Sequence, residues 1–207
     1  MKTTSSAAFF AILLFCTHVT ADLVNPSFEL PDVADTGYAD VDPGGWIVNE
    51  TASFQVALFD RPDITAPDGT QFAVFNAGAT PTGSSMFQTV STIQNATYEV
   101  SFWTMANIPS RSSVQASVYD GAGVGGTLLA TEASSLAGAF VLTQSTFSFT
   151  ADSNTTTLEF LDTSSLTTGS DLFLDHVTLT VTSIPEPSSL LCIGAIALSG
   201  GLVRRRK

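Results

Sequence analysis

Asp175 carries the clearest chemical implication in this 207-residue chain. It sits in the run Phe173-Leu174-Asp175-His176-Val177-Thr178-Leu179, where apolar and polar residues alternate as in a half-buried strand. Phe173, Asp175, Val177, Leu179 and Val181 share one parity, and Leu174, His176, Thr178 and Thr180 share the other. The first set is the more apolar, so the expectation is that it faces a core and carries Asp175 with it. A carboxylate turned toward a core is costly unless it is paired or coordinates a metal. Between Asp22 and Ile184 the only Lys or Arg residues are Arg61 and Arg111, so a cation is a reasonable partner. The alternative is a rim position in which backbone amides hydrogen-bond the carboxylate.

A second pattern suits sugar binding, where a flat ring on the non-core face of a strand stacks on a pyranose. In 98–105 the core parity reads Tyr98, Val100 and Phe102, which leaves Glu99, Ser101, Trp103 and Met105 opposite. In 114–119 the core parity reads Val114, Ala116 and Val118, which leaves Gln115, Ser117 and Tyr119 opposite. Trp103, Tyr119, Gln115 and Glu99 are therefore expected to form one amphipathic groove of stacking and hydrogen-bonding groups. The competing assignment makes Trp103 a core residue, since one bulge reverses parity. Trp46, after Gly44-Gly45, reads as a packing residue.

Catalytic patterns are sparse. His176 is the sole histidine after residue 21, and its neighbours supply no nucleophile context for a Ser-His-Asp site. Cys16 and Cys192 both lie in terminal segments, so the body has no disulfide, no thiol nucleophile and no His/Cys zinc cluster. Paired carboxylates could serve glycoside hydrolysis, but the body holds so many acids that some pair will be suitably spaced by chance. The reading is a protein that is not an enzyme.

The charge distribution narrows the partners further. Of 19 Asp+Glu and 7 Lys+Arg, 18 acids and two arginines fall between Asp22 and Ile184, a formal −16. Such a surface argues against nucleic acid, because nothing would neutralise phosphates. It suits cations or neutral sugars. Charged residues are only 13% against 44% hydrophobic, which separates the chain from the charge-rich, apolar-poor sequences that stay disordered.

These groups must be positioned by strands. Short alternating runs between Gly, Pro, Asn and Asp clusters predict strands near 53–59, 71–75, 85–90, 97–105, 113–119, 140–150, 155–162 and 172–182, with loops at 121–126 and 163–169. No interior segment has a helical period. The expected fold is all-β, an antiparallel jelly-roll β-sandwich. A body of about 160 residues can bury about 70% of its unfolded surface without disulfides.

The two ends read as addresses. Met1-Lys2, the apolar stretch 7–15 and Val19-Thr20-Ala21 form a secretory signal peptide, residues 1–21, with an N-terminal helix. At the other end, Pro185-Glu186-Pro187 precedes the 16-residue apolar stretch 188–203, and Arg204-Arg205-Arg206-Lys207 closes the chain. That stretch is short for a transmembrane helix, and the arginines would stay on the cytoplasmic side.

Residues 184–207 resemble the PEP-CTERM sorting tail of exported proteins of Gram-negative bacteria. The resemblance implies recognition by an exosortase, transient anchoring in the inner membrane, and delivery to the cell surface or an extracellular polysaccharide matrix. The body, 22–183, resembles the galactose-binding-like jelly-roll superfamily. It does so through Asn25-Pro26-Ser27-Phe28-Glu29, Gly44-Gly45-Trp46 and the closing strand 173–179, although His176 stands where the second Asp of the closing pair is expected. That resemblance implies a carbohydrate-binding module in which a structural Ca²⁺ joins Glu29 to Asp175, with backbone carbonyls, alone or with one more carboxylate, completing the shell. The alternatives are a structural matrix protein without a small-ligand site and a divergent polysaccharide-active enzyme.

Overall fold

The computed structural model describes residues 21–78, 82–166 and 168–185. Residues 1–20 of the expected signal peptide and all but Ile184 and Pro185 of the expected sorting tail, including Glu186, Pro187, Arg204, Arg205 and Arg206, lie outside the described residues. Alternating sequence becomes eleven strands: β1 (Tyr38–Ala39), β2 (Ile47–Asn49), β3 (Val56–Asp60), β4 (Gln71–Phe75), β5 (Ser85–Ser91), β6 (Thr97–Ala106), β7 (Val114–Asp120), β8 (Leu128–Ala133), β9 (Thr143–Thr150), β10 (Thr155–Asp162) and β11 (Leu172–Ser183). They form two sheets, a six-stranded one in the order β1-β3-β4-β11-β6-β9 and a five-stranded one in the order β2-β5-β10-β7-β8. Every strand pairing is antiparallel. The described chain is thus all-β, a two-sheet sandwich of jelly-roll type, as the alternation predicts.

Eight strands follow the sequence expectation, β4 and β10 residue for residue. The other three do not announce themselves. β1 and β2 have two and three residues, too few for a period. β8, Leu-Leu-Ala-Thr-Glu-Ala, pairs only with β7 at a sheet edge, so it need not alternate.

The inward parity of each sheet builds one core. Tyr98, Val100 and Phe102 of β6 face Val114, Ala116 and Val118 of β7 and Leu158 and Phe160 of β10, all buried. Trp46 closes one side between Phe28 and Phe160, at ring-centroid distances of 5.6 and 5.9 Å, and its indole N–H donates to the Asn25 carbonyl. It packs, as expected.

The closing strand departs from the simple parity. Leu172 and Leu174 belong to the inter-sheet core, as do Val177 and Leu179, whereas Phe173 belongs to a separate outer cluster. The switch is a β-bulge: register with β6 shifts between Asp175 and Thr178, and His176 takes a φ of 48°. Phe173 and Asp175 therefore face outward from the six-stranded sheet, and Asp175 does not point at the core. It is buried because the segments around Ser27 and Asp68 cover that face. Phe59, Phe72, Val74, Met105 and Phe173 fill the neighbouring outer area beneath Ile64, Ala66 and Leu142.

Candidate functional site

The acidic site grows from the bulge. Asp175 accepts from the Asp68 amide at 3.1 Å and from the His176 amide at 2.6 Å. Two residues along the same strap, the amides of Thr70 and Gln71 donate to Glu29 Oε1 at 3.0 and 2.8 Å. One stretch of backbone, 68–71, thus gathers the two carboxylates that the sequence singles out. Burial pushes the Asp175 carboxyl up to about 7; the two amide hydrogen bonds oppose this, and the nearby Glu29 and Asp68 charges add to it. Asp68 itself accepts from the Ser27 hydroxyl at 2.6 Å and lies 3.6 Å from His176 Nδ1. Asp175 is thus hydrogen-bonded by backbone amides and fully buried in an acidic setting, on the outer face of its sheet and not toward the core.

The donor chemistry suits a hard cation, since both groups are carboxylates and the Glu29 charge lies near enough to act on Asp175. Among the described residues no three His, Cys, Asp or Glu side chains are grouped closely enough to hold a metal. Glu29 and Asp175 would therefore need backbone carbonyls to complete a shell. Gly69 makes the arrangement possible: its φ is 70°, and a Cβ there would overlap the Glu29 carboxylate. Gly69→Ala is expected to destabilise the protein by about 2–4 kcal/mol, combining the left-handed backbone cost with displacement of Glu29. A thermal melt within about 0.5 kcal/mol of wild type would contradict this.

The expected groove is divided by the fold. Trp103 and Glu99 lie on the outer face of the six-stranded sheet, Tyr119 and Gln115 on the outer face of the five-stranded sheet. The parity of each strand is as expected, but β6 and β7 are consecutive strands that cross from one sheet to the other, which sequence spacing does not reveal. Trp103 is half-buried, opposite Gln144 on one side and Asp175 on the other.

On the five-stranded sheet, registration sets Tyr119 and Gln115 among residues that the sequence reading missed. Thr89, Thr157 and Tyr119 form one row across β5, β10 and β7; Phe87, Glu159 and Ser117 form the next; Ser85, Leu161 and Gln115 form a third. The Tyr119 hydroxyl donates to Glu159 Oε2 at 3.1 Å, and its pKa is raised by burial and by the Glu159 charge. The glycine loop after β7 folds over one end, where the Gly123 amide donates to Thr157 Oγ1 at 2.8 Å. Ile47, 56% exposed, extends the Phe87 row onto β2. Phe87 and Glu159 could have been found by extending the parity argument to β5 and β10.

A concavity of about 510 Å³ opens at the seam of edge strands β8 and β9, lined by Leu128, Leu129, Phe149, Asp152 and several hydroxyl residues. Its aromatic ring, Phe149, is buried in a stack on Tyr98 with centroids 5.4 Å apart, so it offers no stacking platform.

No protein-family model matches this chain, and no curated protein sequence resembles it. Solved structures define the fold class. A cyclase from Fischerella sp. TAU is similar with a TM-score of 0.63 at 15% identity, over 82% of this chain and 100% of that one. TmCBM61, solved in complex with β-1,4-galactotriose, is similar with a TM-score of 0.56 at 17% identity, over 79% and 99% of the two chains. A CBM4 structure is similar with a TM-score of 0.51 at 16% identity, over 78% and 100%. The chain thus has the β-sandwich fold of carbohydrate-binding modules. The same fold occurs in a cyclase, so architecture does not decide between binding and catalysis.

Proposed function

We propose that this protein is an exported, non-catalytic carbohydrate-binding module whose glycan lies across the outer face of the five-stranded sheet. The observation that carries this is the placement of Phe87 and Tyr119 around the buried Glu159 carboxylate on three adjacent strands. Two half-buried rings supply stacking surface, while Glu159, Gln115 and Ser117 supply hydrogen bonds to sugar hydroxyls. The similar modules support the reading through fold.

The terminal segments support export and sorting by an exosortase to the cell surface or an extracellular polysaccharide matrix. A Ca²⁺ held by Glu29 and Asp175 would act structurally, tying the N-terminal segment to β11 and to the 68–71 strap.

Screening of the purified protein on a glycan array, with variants, tests the binding face. Tyr119→Ala and Phe87→Ala are each expected to weaken the best glycan by about tenfold or more, the scale of one lost stacking contact. Trp103→Ala, on the opposite sheet, is expected to leave affinity within about threefold. Loss on Trp103→Ala alone would move the site to the six-stranded sheet, and absence of any glycan binding would favour a matrix protein.

A further inference from the structure

Away from both sites, the end of the sandwich where β4 leaves one sheet and β10 leaves the other contains a polar cluster whose acceptors outnumber its donors. Asn76, just after β4, and Asp162, the last residue of β10, are only 1% and 2% exposed. The Asn76 amide nitrogen donates to Asp162 Oδ1 at 3.4 Å and to Ser164 Oγ at 3.1 Å. The Ser164 amide donates to Asp162 Oδ1 at 3.0 Å, and its hydroxyl donates to the Ser113 carbonyl at 3.3 Å. Every proton of these groups is then spent. Two buried acceptors, Asn76 Oδ1 and Asp162 Oδ2, have no hydrogen-bond partner.

Reversing the Asn76 amide does not resolve this, because it would set its oxygen against Asp162 Oδ1. The missing partner must therefore be a donor or a positive charge. Asp162 favours the charge. It is a buried carboxylate, and the ion pairs among the described residues involve Arg61 with Asp63 and His176 with Asp68, not Asp162. Neutral hydrogen bonds alone leave a buried anion without its countercharge.

We propose that Asp162 and Asn76 hold a hard, oxygen-seeking cation between the two sheets, separate from the Glu29–Asp175 pair. A carboxylate oxygen and an amide oxygen are hard oxygen donors of the kind Ca²⁺ or Na⁺ takes, and main-chain carbonyls or water would have to complete the shell. One formal carboxylate implies weak binding, saturating only at extracellular cation levels. Since β4 and β10 belong to different sheets, the ion would pin the sheets together at this end.

The test uses the purified full-length chain carrying Glu29→Gln and Asp175→Asn, which neutralises the other acidic pair. Melting temperature is measured while Ca²⁺ or Na⁺ replaces choline at constant ionic strength. The cation-dependent rise is expected to persist in this background and to disappear when Asp162→Asn is added; the two salts show which ion acts. A response that is absent, or unchanged by Asp162→Asn, overturns the proposal and leaves water as the occupant. Should Asp162→Asn fail to fold, Asn76→Asp provides the second arm. Asn76 has a φ of 71°, which aspartate tolerates. The added carboxylate is expected to lower the half-saturating cation concentration by about tenfold or more, and an unchanged value overturns the proposal.

Discussion

Phe160→Ala is expected to lower the unfolding free energy by about 3–5 kcal/mol and the melting temperature by about 10 °C. Phe160 lies on the central strand of the five-stranded sheet and is fully buried. Its ring meets Phe102 of the opposite sheet edge-on at 5.2 Å and Trp46 at 5.9 Å, so one side chain joins both sheets and the N-terminal segment. Truncation leaves a cavity that these two rigid rings cannot fill without leaving their rotamers. Phe160→Leu retains most of the volume and is expected to cost about half as much. Trp103→Ala, on an outer face, should cost clearly less although it removes a larger ring, because Trp103 is only half-buried. Equal losses for Phe160→Ala and Trp103→Ala by chemical denaturation would mean that the outer face is packed as tightly as the core. Phe160 also sits between Glu159 and Leu161, which point to the proposed glycan face. Its loss should therefore weaken glycan binding through displacement of β10 even at temperatures where the protein remains folded.

Period-two patterning made most of the fold legible, because β6, β7 and β10 each carry their core residues on one parity: Tyr98, Val100 and Phe102, then Val114, Ala116 and Val118, then Leu158 and Phe160. It does not say which strands share a sheet. Trp103 and Tyr119 have the parity assigned to them, yet they lie on opposite outer surfaces, since the β6–β7 connection crosses between sheets. Glu29 and Asp175 are 146 positions apart, and only the resemblance of the end motifs joined them. The backbone that gathers them, Asp68 to Gln71, carried no signal beyond a glycine in a turn. The direction of Asp175 departs from its parity for a local reason. Alternation predicts one uninterrupted parity from Phe173 to Val181, and the bulge at His176 breaks it. A histidine at positive φ has no sequence signature, although the polar residue between Asp175 and Val177 is where the period could shift. The Asn76–Asp162 cluster was equally hidden, because each residue reads alone as an ordinary turn or strand end.

Stability in a cation-free buffer is expected to fall as pH rises from about 4 to about 7 and then to level off, with Asp175 the main cause. The carboxyl is held at about 7 in the folded protein against a usual 3.8. Below that lower value both states carry the proton, and there is no difference. Between the two values the unfolded chain releases its proton while the folded protein keeps it, so unfolding becomes steadily more favourable. Above about 7 both are ionised, and the slope ends. A difference of about three units corresponds to on the order of 4 kcal/mol across the window. Asp171, also raised by burial, contributes with the same sign, so the decisive measurement is the difference between wild type and Asp175→Asn in unfolding free energy at pH 4.5 and 7.5. The variant is expected to show a much flatter profile, and parallel profiles would remove Asp175 as the source. Calcium at the proposed site would act in the opposite direction. A cation at Glu29 and Asp175 stabilises the ionised carboxylate and must displace its proton, so added Ca²⁺ should restore stability at pH 7.5 and have little effect at pH 4.5. In a medium with millimolar calcium near neutrality, the ionised and cation-bound folded form would then be the stable one, and chelation would weaken the hold of the 68–71 strap on the N-terminal segment.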